Sequence, residues 1–186
     1  MFGDIFRFLI EIAFTLFGAA LLIRAWMQAI TMPRFNPLGP GIHRYTQWLV
    51  GPLEKITPHA GRINWACLLA AVLTAFVSVI LNWLISVGAM IPVAALPVAL
   101  GAALFMTVRW ALNLIVWLTL IQAILSWVNP QAPMMPLLQM LTAPLLNPIR
   151  RVLPNTAIDF SPLVVLVLAQ VAIMFVTRLG IQIFGF

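Results

Sequence analysis

The side chains that could perform catalysis in this chain are few and far apart. His43 and His59 lie in one loop, Cys67 follows a few residues later, and the four acids are spread over 186 residues. A zinc site needs three or four protein ligands, and acid–base catalysis needs a positioned acid and base. The sequence also contains no glycine-rich phosphate-binding motif. We therefore predict that the chain is not an enzyme and has no catalytic residue, cofactor or metal site.

Arg24 is a different kind of candidate, because it lies within an apolar stretch long enough to cross a membrane. An ionisable residue at such a position commonly faces the interior of a helix bundle or a water-filled cavity and marks function. Alternatively, Arg24 lies near the end of its helix and extends its guanidinium to the interface, since a loop begins by Pro33. Glu11 is too distant to pair with Arg24 directly, because the helical positions between them span about 20 Å.

A polar stripe occupies a second apolar stretch. Its residues recur every four positions, on one slowly drifting helix face: Thr74, Ser78, Asn82 and Ser86. Such side chains hydrogen-bond across membrane helices and permit close packing, or they line a polar path. The stripe contains no ionisable group, which ion paths tend to have. We therefore expect it to serve helix packing.

The elements that position these residues must be membrane helices. Hydrophobic residues make up 63% of the sequence and charged residues only 8%, with a mean hydropathy of +1.09. A soluble domain has roughly 45–50% apolar and about 25% charged residues. The composition therefore predicts an all-α membrane protein. Four stretches reach the roughly 20 residues that a span requires, namely 6–30, 64–87, 109–128 and 161–183.

A fifth apolar run, 90–107, is shorter and contains Pro92, Pro97 and Gly101. It directly precedes Arg109 and Trp110, which is a pair suited to a membrane interface. The run is predicted to be an interfacial helix, a re-entrant segment or a tilted fifth span, and its length favours the first two.

The loops between the spans are amphipathic. Within 41–56 the apolar side chains recur at helical spacing on one face, which predicts a helix lying in the membrane plane. The second loop repeats this pattern, but Pro144 and Pro148 interrupt it. Because proline removes a helix hydrogen bond and bends the helix, we expect two short helical pieces there.

The positive charge of the chain is concentrated in these loops. The net charge is +6, and six basic residues lie in the two loops: Arg34, Arg44, Lys55, Arg62, Arg150 and Arg151. Cytoplasmic loops of membrane proteins collect Lys and Arg, and such charges also contact anionic headgroups. We predict a multi-pass protein of the cell inner membrane with loops 33–62 and 130–159 in the cytoplasm. Its partners are then anionic lipid and another membrane protein or a second copy, and no nucleic acid is expected.

The two halves of the chain match each other. The string from Pro52 to Pro58 aligns with that from Pro148 to Pro154, Thr46 then falls on Thr142, and the segment beginning at Arg24 aligns with the segment beginning at Gln122. We predict a first repeat over 1–89, a connector over 90–108 and a second repeat over 109–186, each repeat being helix, amphipathic loop and helix.

Asn64 and Asp159 occupy equivalent positions at the start of a span. A short side-chain oxygen there accepts hydrogen bonds from free backbone N–H groups and caps the helix. Alternatively, Asp159 pairs with Arg150 or Arg151 and locks the loop against the span; both roles are compatible. The candidate functional or locking residues are Arg24, Lys55, Asn64, Arg150, Arg151 and Asp159 with the flanking Pro58 and Pro154.

The sequence resembles the YggT family, whose Gram-positive and plastid relatives are called YlmG. The segments that carry the resemblance are Leu-Ile-Arg24-Ala-Trp-Met-Gln, Gly51 to Pro58, Leu-Ser126-Trp127, Asn147 to Pro154, and Ile158 to Pro162. The resemblance covers nearly the whole chain. Glu54 departs from it, since the family usually has a basic residue there, so a basic pair is better supported at Arg150 and Arg151 than at Glu54 and Lys55.

The resemblance implies assembly or organisation at a membrane rather than a reaction. Bacterial members of the family are linked to osmotic shock tolerance and to potassium-uptake-deficient backgrounds, and plastid relatives to haem attachment and nucleoid distribution. We therefore predict a non-enzymatic membrane factor that supports other membrane components and bears on osmotic tolerance. The alternative is a channel or transporter subunit for a small ion such as potassium, because repeats and intramembrane polar groups also occur in transporters.

Overall fold

The computed structural model describes residues 2–32, 38–57, 63–152 and 159–184. These residues form six α-helices and one short 3₁₀ turn, without any β-strand in the described ranges. The helices are α1 (Phe2–Ala29), α2 (Gly39–Glu54), α3 (Trp65–Val87), α4 (Leu96–Val128), α5 (Met135–Val152) and α6 (Ser161–Phe184). The predicted all-α class is confirmed.

Helices α1, α3, α4 and α6 are long and apolar enough to cross a membrane. Their large apolar side chains are often exposed, as Leu16, Met174 and Phe175 illustrate. A contiguous apolar surface of this kind is unfavourable in water but suits hydrocarbon. The four spanning helices agree with the four predicted spans.

The apolar run 90–107 does not form a helix of its own. The 3₁₀ turn Val93–Ala95 leads directly into α4, which continues through Arg109 to Val128. Pro97 does not interrupt the helix, because the N–H groups of a first turn have no partner within the helix. With 33 residues, α4 extends about 50 Å and exceeds the roughly 30 Å hydrocarbon core of a bilayer.

The chain forms two compact units, 1–110 with 176–186 (unit 1) and 111–175 (unit 2). The start of α4 and the end of α6 thus belong to unit 1, where the rings of Phe105 and Phe184 meet edge to face with centroids 5.3 Å apart. These compact units differ from the repeats predicted along the sequence, since the packing of aromatic rings joins distant segments. The repeat boundaries themselves stay a prediction.

Unit 1 is built on the packing of α1 against α3. The buried residues of α3 are small: Ala66, Cys67, Ala70, Ala71, Thr74, Ala75 and Ser78. Small side chains allow two membrane helices to approach closely and gain van der Waals contact along their length. Asn64 begins α3 as predicted, because its side chain accepts a hydrogen bond from the Cys67 N–H at 3.1 Å.

Unit 2 contains α5 as one continuous helix, so the prediction of two short pieces was wrong. Pro144 and Pro148 lie inside the helix, four residues apart and therefore on one face. Both are exposed, so the carbonyl groups left without an N–H partner lie toward the outer side of the helix. The opposite face is buried and carries Met135, Leu137, Leu138, Leu141, Thr142 and Leu146. The burial of this apolar face stabilises the helix despite the two prolines.

Candidate functional site

Arg24 is the centre of a polar cluster in unit 1. Its side chain is 3% exposed, and Nη1 donates to Thr46 Oγ1 at 2.9 Å. Nη2 donates to Gln47 Oε1 and to Glu54 Oε1, each at 2.9 Å. The guanidinium is therefore buried against α2, as expected for an arginine that faces the interior of a helix bundle.

The acceptors of Arg24 are oriented by their own contacts. The Thr46 hydroxyl donates to the Ile42 carbonyl at 2.7 Å, which leaves its lone pairs directed to Arg24. Glu54 Oε1 also accepts from Asn64 Nδ2 at 3.3 Å, and Asn64 caps α3. Through this connected set, α1, α2 and the start of α3 are joined at one place, which we call the Arg24 cluster (Arg24, Thr46, Gln47, Glu54 and Asn64).

The Arg24 cluster contains a buried ion pair. Arg24 Nη2 and Glu54 Oε1 are 2.9 Å apart, with side-chain exposures of 3% and 26%. The Nε of Arg24 is buried without a hydrogen-bond partner among the described residues. A guanidinium in such surroundings depends on its carboxylate partner, because water does not solvate it. The pair therefore fixes α2 against α1.

In unit 2 a neutral contact occupies the matched positions. The Thr142 hydroxyl lies within hydrogen-bond distance of the Gln122 side-chain amide and 2.8 Å from the Leu138 carbonyl oxygen. The amide therefore replaces the guanidinium, while the threonine keeps its bond to the carbonyl four residues earlier. Gln47 and Gln122 were not among the predicted site residues. The sequence match between Arg24 and Gln122 could have indicated Gln122.

A second ion pair of unit 2 is exposed. Arg150 Nε and Nη2 donate to Asp159 Oδ2 at 2.9 and 2.6 Å, and Asp159 Oδ1 accepts from the Ser161 N–H at 3.0 Å. Asp159 thus makes both predicted contacts, capping α6 and pairing with Arg150. Arg150 and Asp159 are 43% and 44% exposed, so their attraction is screened by water and worth under about 1 kcal/mol. Arg151 is exposed.

The surroundings of Asp159 lower the pKa of its carboxyl group. Partial burial by itself raises this pKa, but hydrogen bonds from Ser161 and Arg150 and the charge of Arg150 outweigh it. A lowered pKa in the folded state stabilises the fold above the unfolded value of about 4. This contribution is lost as the pH falls through the folded pKa, so the Arg150–Asp159 pair is intact at neutral pH.

The polar stripe of α3 bonds mainly to its own helix. Thr74 donates to the Ala70 carbonyl at 2.7 Å and Ser86 to the Asn82 carbonyl at 2.7 Å. Asn82 alone among the four reaches another helix in the hydrogen bonds of the described residues, accepting from Arg7 Nε of α1 at 3.0 Å. Thr74 and Ser78 are buried. The stripe therefore permits close packing as predicted, but it forms few bonds between helices.

The other predicted residues are Lys55, Pro58 and Pro154. Lys55 follows α2 as its C-cap and is exposed, whereas Pro58 and Pro154 lie outside the described residues. Within the described ranges, no three His, Cys, Asp or Glu side chains come together as a metal site.

The sequence did not predict an apolar groove beside Tyr45 and Trp48 of α2. The feature that could have indicated it is the pair of large aromatic residues on an amphipathic helix.

These features define a helical membrane protein with four spanning helices, in which α2 is joined to α1 by a buried ion pair. The chain belongs to the CCB3/YggT family, whose model matches residues 3–85 and 101–180. The identification from the sequence segments is confirmed.

Relatives from three bacteria support this assignment. "Uncharacterized protein YggT" of Escherichia coli K12 is 35% identical over 166 residues, which cover 88% of this chain and 85% of the relative. "Uncharacterized protein in proC 3'region" of Vibrio alginolyticus is 34% identical over 167 residues, or 89% of each chain. A Haemophilus influenzae protein is 31% identical over 150 residues, covering 78% of this chain and 77% of that one. No solved structure matches the chain.

Proposed function

We propose that this chain is a non-enzymatic factor of the cell inner membrane that organises or supports other membrane components and bears on osmotic tolerance. The observation that carries the proposal is the bonding of both terminal nitrogens of the Arg24 guanidinium to Thr46, Gln47 and Glu54. An arginine held in this way has a structural use, because a residue serving an ion path must face the path.

The polar stripe of α3 supports the same conclusion. The Thr74 and Ser86 hydroxyls and the Asn82 amide bond to backbone carbonyls or to Arg7. The Ser78 hydroxyl has no hydrogen-bond partner among the described residues, and Thr74 and Ser78 are enclosed by packing. A conduction path requires polar groups that replace water around the ion along its length. Groups that already bond within the protein provide little of that replacement.

The related contacts of the two units support an internal repeat. Arg24 with Thr46 in unit 1 and Gln122 with Thr142 in unit 2 stand at positions that match in sequence. A protein with two similar units and exposed apolar helices is suited to contact other membrane proteins or a second copy of itself. Chemical crosslinking in cells followed by mass spectrometry would identify those partners.

The first test is ion flux through the purified chain in liposomes. We expect no selective potassium or sodium flux, because no continuous polar path is formed by the contacts above. A known channel reconstituted at the same protein-to-lipid ratio is the positive control. The absence of flux through this chain, inserted in both orientations, would support the proposal. A concentration-dependent flux that Asn82→Leu abolishes would establish the channel alternative instead.

The second test concerns orientation. Helices α3 and α4 lie between α2 and α5 in the chain, and two crossings return a chain to its starting side. We therefore propose that both amphipathic helices lie on the cytoplasmic side, as their basic residues favour. Single cysteines at Gly39 and Gln131, with Cys67→Ala, should be labelled from the same side by an impermeant thiol reagent. Labelling from opposite sides would contradict this arrangement.

A further inference from the structure

Unit 1 contains an apolar groove of about 370 Å³ between α1, α2 and α3. Its walls include Phe14 and Phe17 of α1, Tyr45 and Trp48 of α2, and Leu73 and Val77 of α3. The Phe17 ring contacts the Tyr45 and Trp48 rings with centroids 5.7 and 5.5 Å apart. Aromatic contacts of this kind make a firm wall, and the volume lies in the range of ligand sites.

The groove offers almost no hydrogen bond to an occupant. Among its lining residues only Thr74, Tyr45 and Trp48 carry a polar side-chain atom. The Thr74 hydroxyl already donates to the Ala70 carbonyl. A polar group entering the groove would lose its water without replacement, which is costly. The buried part of any occupant must therefore be hydrocarbon.

Two cations lie on the face of α2 that also carries Trp48. Trp48 lies four residues and Lys55 eleven residues after Arg44. At 100° per residue, the three positions fall within about 40° of one another around the helix axis, so they share one helix face. Lys55 keeps helical backbone angles as the C-cap. Both side chains are exposed, and within the described residues neither forms an ion pair, whereas the neighbouring Glu54 is bound to Arg24.

We propose that unit 1 binds one anionic phospholipid, with an acyl chain in the groove and its anionic headgroup at the helix face that carries Arg44, Trp48 and Lys55. Charge complementarity selects this occupant, because the groove is apolar while the helix face of Trp48 carries two cations that form no ion pair among the described residues. Trp48 and Tyr45 are 69% and 64% exposed, and such aromatic residues favour headgroup depth. An amphipathic helix at that depth brings its cations to the phosphates. The lipid site goes beyond the proposed function and does not rest on it.

Native mass spectrometry of the full chain tests this site. The detergent-solubilised protein is mixed with equal amounts of phosphatidylglycerol and phosphatidylcholine of the same chain length. We expect one retained lipid, predominantly phosphatidylglycerol, with a preference of about fivefold for each cation. The double variant R44Q/K55Q should lose this preference. The double variant R151Q/R178Q removes the same charge elsewhere and should keep it.

A second variant addresses the groove itself. Val77→Trp fills it from α3 and should reduce retention of both lipids, while the cations remain. Equal retention of the two lipids by the unchanged chain would overturn the proposal, as would an undiminished preference in R44Q/K55Q. A dimer that Val77→Trp dissociates would assign the groove to a second copy and would also overturn it. If Val77→Trp does not fold, the comparison of R44Q/K55Q with R151Q/R178Q still tests the proposal. All four substituted residues are exposed, so both variants should fold.

Discussion

Replacing Glu54 with Gln is expected to lower the free energy of unfolding by about 3 kcal/mol, in the range found when a buried ion pair loses one partner. The substitution keeps the shape of the side chain but removes its charge. Arg24 is then left 3% exposed without a carboxylate, and its guanidinium has no path to water short of separating α2 from α1. The measurement is unfolding by added SDS in mixed micelles, followed by circular dichroism.

A second substitution separates charge from packing. In Arg24→Gln/Glu54→Gln both charges are absent, and an amide can contact Thr46 as Gln122 contacts Thr142 in unit 2. We expect the double variant to be more stable than Glu54→Gln alone, because no buried charge remains uncompensated. A double variant with the summed loss of the two single variants would show that the ion pair is not the source of the effect.

The exposed pair of unit 2 is the matched control. Arg150→Ala and Asp159→Asn should each cost under about 1 kcal/mol, because both side chains are over two-fifths exposed and water replaces the partner. In this order the larger loss falls in the first loop, although the sequence supported a basic pair at Arg150 and Arg151 better than at Glu54 and Lys55. Equal losses for Glu54→Gln and Asp159→Asn would contradict it.

Substituting Gly18 with Ala is expected to destabilise unit 1 by about 1–3 kcal/mol, the usual effect of an overpacked core. A Cβ at Gly18 would overlap Cε3 and Cζ3 of the Trp110 ring. Trp110 is 5% exposed, and its flat ring has no flexible end that could move aside. Relief requires a shift of α1 or α4, which loses contacts along both helices.

Gly41 supplies the control for this substitution. It also lies within a helix, but a Cβ there would meet nothing within 4 Å. Gly41→Ala should therefore be neutral or stabilise the protein by up to about 1 kcal/mol through helix propensity. In a double-mutant cycle, the loss caused by Gly18→Ala should be smaller on a Trp110→Ala background. A Gly18→Ala variant as stable as Gly41→Ala would refute the close approach.

The sequence by itself determined the four spanning helices. Hydropathy averaged over about 20 residues is a local property, and it determines whether a segment is stable in the bilayer. It also determined the start of α3 and the contacts of Asp159, since a capping oxygen and its backbone partners lie within a few residues. The segments characteristic of the family were likewise visible in the chain. Each of these features depends on neighbouring residues, so no folded structure was needed to predict it.

Only the tertiary structure decided where Arg24 lies and what holds it. Its acceptors are 22 to 30 residues away along the chain, and neither periodicity nor composition relates such positions. The sequence also did not show that α5 continues across two prolines, or that α4 continues through the apolar run 90–107. A proline's local cost is visible in sequence, but the burial that offsets it is not. The groove beside Trp48 is formed by three helices together, so its volume exists only once those helices have packed.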